Sequence, residues 1–107
     1  MLGFRTIATV ASIIWVCPAS AADNSLVLGI GAKSCAYWQS SAARKSEGII
    51  WIYGFWSGWN LANNRNHMVG AHTDTYGKVA EVQKTCAAQP SMTLMNAAAA
   101  TYNEMDK

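Results

Sequence analysis

The chain is short of charge, of cysteine and of long apolar runs, and each shortage closes off a class of function. Only 13% of the 107 residues are charged, and the formal charge of +2 falls by one once Arg5 is removed with the leader described below. The basic residues Lys33, Arg44, Lys45, Arg65, Lys78, Lys84 and Lys107 are scattered along the sequence. Phosphate neutralisation needs a dense basic stripe, so no nucleic-acid partner is expected. Beyond the leader no stretch approaches the roughly 18 apolar residues that span a bilayer. The richest, Ile49 to Trp59, is short and carries Gly54, Ser57 and Gly58. No Ser/His/Asp order, paired-carboxylate spacing or Gly-rich phosphate loop is present, so no catalytic residue and no cofactor is assigned. His67 and His72, with Asp74 nearby, lack both the i, i+4 spacing of one helical face and a third strong ligand. They read as solvated loop histidines, and no metal site is expected.

What is there begins with a leader. Arg5 lies in the charged start, Ile7 to Val16 is apolar, Pro18 breaks the run, and Ala19-Ser20-Ala21-Ala22 supplies small residues for cleavage. Residues 1–22 therefore read as a signal peptide, leaving 23–107 as one domain exported to the periplasm. A lipobox reading of Cys17 is disfavoured by Val16 before it and Pro18 after it. Cys17 leaves with the leader, and the odd count of three cysteines becomes two. In an oxidising compartment Cys35 and Cys86 are expected to pair. About 85 residues remain, enough for a single domain with a modest core. The chain-entropy model gives such a bridge a value of ~4 kcal/mol, comparable to the whole stability of a small domain.

The fold expected is all-α, a small bundle of about four helices. Asn24 to Lys33, with Gly29 and Gly31, reads as a largely irregular lead-in in which Leu26-Val27-Leu28 has a chance to pack. Ser34 suits the N-cap of a first helix over Cys35–Ser46, with Cys35, Trp38 and Ala42 on one face. A second helix over Glu47–Asn64 sets Ile49, Ile52, Tyr53, Trp56 and Trp59 on one face. Ile50, Gly54, Gly58 and Leu61 fall on an adjacent face. Two strands around Ile49–Tyr53 are the competing reading, since Ile, Trp and Tyr favour sheets. The glycines cost helix propensity of roughly 1 kcal/mol each, which implies close approach by another helix there. Asn60 to Thr73 reads as a loop. A third helix capped by Thr73 or Asp74 runs to Ala88, with Tyr76, Val79, Val82 or Gln83, and Cys86 inward. Pro90 stops it and suits the first position of a fourth, Ser91–Met105, whose inner stripe is Met95, Ala98 or Ala99, Tyr102 and Met105. Met92, Met95 and Met105 read as core filler.

The aromatic set Trp51, Tyr53, Phe55, Trp56 and Trp59 is the sharpest functional feature. Adjacent helical positions diverge by about 100°, so these rings cannot all face one core. Neighbouring helices wrap them completely, or they meet a protein partner or a second copy of the chain, or they line a small-molecule pocket. Trp and Tyr are common interface anchors, and Trp51, Phe55, Trp56 and Trp59 are the expected partner-binding residues.

The arrangement resembles the HdeA/HdeB family of small periplasmic helical proteins. The resemblance rests on Cys35-Ala36-Tyr37-Trp38 opening a helix, an aromatic and glycine-bearing helix, and the capping pair Thr73-Asp74. It continues through Cys86-Ala87-Ala88-Gln89-Pro90 and a last helix of small and apolar residues, spanning nearly all of residues 33–105. Gly54-Phe55-Trp56-Ser57-Gly58-Trp59-Asn60 also resembles a segment of other small secreted bacterial helical proteins. Immunity proteins against type VI secretion amidase effectors share a related design. The resemblance implies a non-enzymatic binding protein, an acid-stress or holdase-like chaperone whose dimer opens at low pH to hold unfolded clients, with an immunity-type inhibitor as the alternative. In the acid chaperones the trigger is carboxylate protonation. Here only Asp23, Glu47, Asp74, Glu81, Glu104 and Asp106 are available to supply it, a marked departure from that charge-dense family.

Overall fold

The computed structural model describes Gly3 and residues 25–107. Apart from Gly3, the expected leader and its Cys17 lie outside the described residues, as do Asp23 and Asn24. Among the described residues a 3₁₀ turn, Gly29–Ala32, is followed by helices α1 (Cys35–Trp38), α2 (Ala42–Ala62), α3 (Thr75–Ala88) and α4 (Leu94–Met105). This is the small all-α bundle with one disulfide that the sequence implied, and residues 49–53 are helical.

The first helix is one turn long instead of three. Ser34 caps it as expected, its hydroxyl accepting from Tyr37 N–H at 3.1 Å. Two more serines then end it. The Ser40 hydroxyl donates to the Tyr37 carbonyl at 2.6 Å, while Ser41 takes extended backbone and accepts from Arg44 N–H at 3.1 Å. Serine hydroxyls compete with the helical ladder for backbone groups, so paired serines make a break and a new N-cap. Thus α2 starts at Ala42, five residues before the Glu47 expected from charge placement, and runs for 21 residues. Trp38 folds α1 back on it, donating its indole N–H to the Lys45 carbonyl at 3.0 Å. The ring lies where a side chain on Gly48 would stand, so that close approach needs a residue with no Cβ.

Asp74 caps α3 through Gly77 N–H at 2.6 Å, and Val79, Val82 and Cys86 face inward. Tyr76, in the first turn, is exposed rather than part of that stripe. Helix α4 begins at Leu94, capped by the Thr93 hydroxyl on Asn96 N–H at 3.1 Å, and Pro90 is not in it. The link before it is used differently. Pro90 and Met92 carbonyls accept from Ala36 N–H and Cys35 N–H at 3.0 and 2.7 Å, and Leu94 N–H donates to the Lys33 carbonyl at 2.9 Å. Ser34 and Thr93 pair as an antiparallel bridge. The Cys35–Cys86 disulfide, with Cα atoms 5.3 Å apart, closes the same junction covalently.

Trp38, Ile52, Leu94, Val82 and Cys35 are the largest fully buried side chains. Ala97 and Ala98 are fully buried on α4, and their small size lets α3 approach closely; that pair of helices makes the most extensive contact in the bundle. On α4 the buried stripe is Leu94, Met95, Ala97, Ala98, Thr101 and Tyr102, with Met105 half-buried.

Candidate functional site

Helix α2 carries three edges of different character. Gly48, Ile52 and Trp56 recur every four residues and form the buried edge. Trp51, Phe55 and Trp59 recur at the same interval one position earlier or three later, making a second edge beside the first. Their rings form a continuous ladder. Trp51 and Phe55 stack with centroids 5.4 Å apart, and Phe55 and Trp59 lie 4.4 Å apart at a 37° tilt. Tyr102 on α4 meets Phe55 and Trp59 edge-on at 6.4 and 5.2 Å. Offset-stacked and edge-to-face rings are the favoured aromatic geometries, so the ladder is pre-organised.

Each end of the ladder is fixed by a polar contact. Trp51 donates its indole N–H to the Leu28 carbonyl at 2.9 Å, and its ring covers Gly31 where a Cβ would otherwise clash. At the other end the Tyr102 hydroxyl donates to Asn60 Oδ1 at 2.8 Å and accepts from Asn63 Nδ2 at 3.1 Å. Asn63 also donates to Asp106 at 3.2 Å, and Arg65 pairs with Asp106 at 3.1 Å. Asn60 clamps the loop after α2 through both atoms of its amide, bonding Val69 N–H at 3.1 Å and the Val69 carbonyl at 3.3 Å. The asparagines that read as loop residues therefore tie that loop, and through Tyr102 the ring ladder, to α4.

The ladder walls a groove of about 790 Å³ between α2, α4 and the extended residues 25–28. Opposite the rings stand Met92, Met95, Ala99 and Ala100, with Leu26 and Leu28 at the open side, 88% and 72% exposed. Among the described residues none that lines it is charged; the polar ones are Ser25, Asn96 and Asn103. Such a lining favours apolar groups through desolvation and offers amides for orientation.

Of the four expected partner-binding residues, the structure brings Trp51, Phe55 and Trp59 together on this wall, with Trp59 36% exposed. It turns Trp56 inward. That ring is 5% exposed, donates its indole N–H to the Val69 carbonyl at 2.8 Å, and packs edge-on against Tyr102 at 5.1 Å. The reason is phase: position 56 belongs with 52 and 48, whereas 59 belongs with 55 and 51. Tyr53, expected on the inner face, is 37% exposed for the same reason. The methionines and the lead-in leucines were not expected at a binding surface. The available signal was the pairing of flexible Met92 and Met95 with an apolar lead-in, since unbranched thioethers adapt to varied apolar partners.

The third edge of α2 meets no other described element. Ile50 and Leu61 are 71% and 81% exposed, and among the described residues nothing lies within 4 Å of where a Cβ would stand on Gly54 or Gly58. The close helix contact expected at those glycines is absent within the described residues; the seats for it are Gly31 and Gly48.

His67 and His72 are exposed, and His67 Nδ1 lies 2.9 Å from the Asn60 carbonyl. Among the described residues no group of three or more His, Cys, Asp or Glu side chains is placed to hold a metal ion. None of their helices is long and apolar enough to cross a membrane. Comparison with protein-family models, curated proteins and solved structures finds no match to this chain.

Proposed function

We propose that this chain is a non-enzymatic periplasmic binding protein of the HdeA/HdeB type, holding apolar segments of a protein partner and acting as a holdase for unfolded clients under stress. The observation that supports it is the neutral groove walled by the Trp51–Phe55–Trp59 ladder and faced by Met92 and Met95. Rigid rings supply contact area at little entropic cost, and methionines opposite them adapt to side chains of different shape. Together they suit many apolar sequences better than one rigid ligand. Acid conditions act on such a protein through its few carboxylates, so the groove itself, rather than a dense charge network, is the primary binding element.

The test is aggregation of several unrelated proteins, followed by light scattering from pH 2 to 7 in the presence of the exported protein. Suppression is expected. Trp59→Ala should reduce it by about tenfold in effective concentration, the loss of one interface anchor, while leaving the helical circular dichroism unchanged. Absence of suppression at every pH, or a variant equal to the parent, overturns the proposal. Tight binding of one toxin at neutral pH with no effect on other proteins assigns the immunity role instead.

A further inference from the structure

On the side of α2 away from the ring ladder, a smaller cavity of about 250 Å³ lies under the loop that leads into α3. Its walls include Tyr53, Trp56, Met68, Val69, Gly70 and Lys78. Four of these are apolar or aromatic, and one is a cation. Lys78 is only half exposed. Its ammonium donates to the Thr73 carbonyl and sits 5.8 Å from the centroid of the Trp56 ring. An ammonium has three donors, and the carbonyl occupies one. Among the described residues the ion pairs are Arg65–Asp106 and Lys107–Glu104, so Lys78 faces no carboxylate at bonding distance. The nearest acids in sequence are Glu81, which forms no ion pair among the described residues, and Asp74, whose carboxylate accepts from Gly77 N–H as the α3 cap.

The loop is shaped around this lysine. Gly70 has φ of +78°, a conformation open to glycine, and a Cβ there would come 2.7 Å from Lys78 Cε and 3.2 Å from the Trp56 ring. The lysine stem thus passes under the loop backbone, held between Gly70 and the indole. A half-buried ammonium without a carboxylate partner, at the wall of an apolar cavity, favours an anion that brings its own apolar body. The volume equals roughly eight water-sized groups, room for a medium-length alkyl chain.

We propose that this cavity binds a small amphiphilic monoanion, a single-chain carboxylate of medium length, with its carboxylate on Lys78 and its chain along Tyr53 and Met68, over the Trp56–Val69 contact. The site is separate from the ring-walled groove and does not depend on the function proposed for that groove.

The experiment titrates the exported protein with octanoate and with octanol, followed by amide and indole proton–nitrogen NMR. Octanoate should shift Val69, Gly70 and the Trp56 indole signal, and bind about tenfold more tightly than octanol, the preference a charge-assisted bond confers. Lys78→Met keeps the stem and removes the charge, and should abolish that preference; Lys78→Arg should retain it. The parent's octanoate-over-octanol preference is read without any variant, so a misfolded Lys78→Met does not leave the matter open. Equal binding of the two compounds overturns the proposal. So do an absence of shifts up to the solubility limit, and shifts confined to Met92, Met95 and Ala99, which would place the ligand in the larger groove.

Discussion

The three glycines of α2 sit against a neighbour or face open space, depending on the side of the helix they occupy. Gly48 lies under the Trp38 indole, and a side chain there would collide with the ring. Gly54 and Gly58, six and ten residues further on, have open space around them. The covered flank is an intramolecular packing surface in which the missing Cβ is used. On the bare flank, between exposed Ile50 and Leu61, the same residue type meets no packing partner among the described residues. A glycine in a helix is thus informative only together with what stands opposite it.

This contrast can be broken most severely by removing the ring. Trp38 is fully buried, so Trp38→Ala is expected to cost about 3–5 kcal/mol, read as a lower midpoint in chemical denaturation. Gly48→Ala attacks the same contact from the other side. Overpacking against the indole should cost about 1–3 kcal/mol despite the better helix propensity of alanine, and pairing it with a smaller residue at 38 should recover part of that loss. Gly54→Ala sharpens the comparison because its sign is opposite. With nothing nearby to collide with, it should raise stability by up to about 1 kcal/mol. A destabilising Gly54→Ala would mean that the bare flank is covered in solution. The smallest effect belongs to Arg65→Ala. Its guanidinium is 81% exposed in the pair with Asp106, so thermal denaturation should register a loss of about 0–1 kcal/mol, smaller still in high salt.

The sequence made the number of helices, the cysteine pair, and the caps at Ser34 and Asp74 legible, because each rests on local chemistry. It misplaced the boundary between the first two helices, since Ser40 and Ser41 carry a stronger stop and start than the Glu47 used to set it. It misplaced the start of α4 because the carbonyls of Pro90 and Met92 are taken by the backbone of Cys35 and Ala36, a distant pairing that no local pattern announces. Three of the four expected partner-binding rings lie on one wall. The 3–4 spacing puts Trp59 on one face with Ile52 and Trp56, whereas the helix keeps Ile52 and Trp56 together and turns Trp59 to the edge of Trp51 and Phe55. The role of Lys78 was not legible either: a lone lysine in a helix looks like a solvated face until the loop is folded over it.

The junction at Lys33–Ala36 carries a consequence for the order in which the molecule comes together. Its long-range hydrogen-bonding partners and its covalent partner lie between Cys86 and Leu94, more than fifty residues downstream. The Lys33–Ala36 backbone meets none of these distant partners until about four-fifths of the chain has emerged from the ribosome or a translocation pore. Until then α2 alone holds the early segment, through Trp38 and Trp51, and a chain stopped before Cys86 would lose both the clasp and the helix that fastens it.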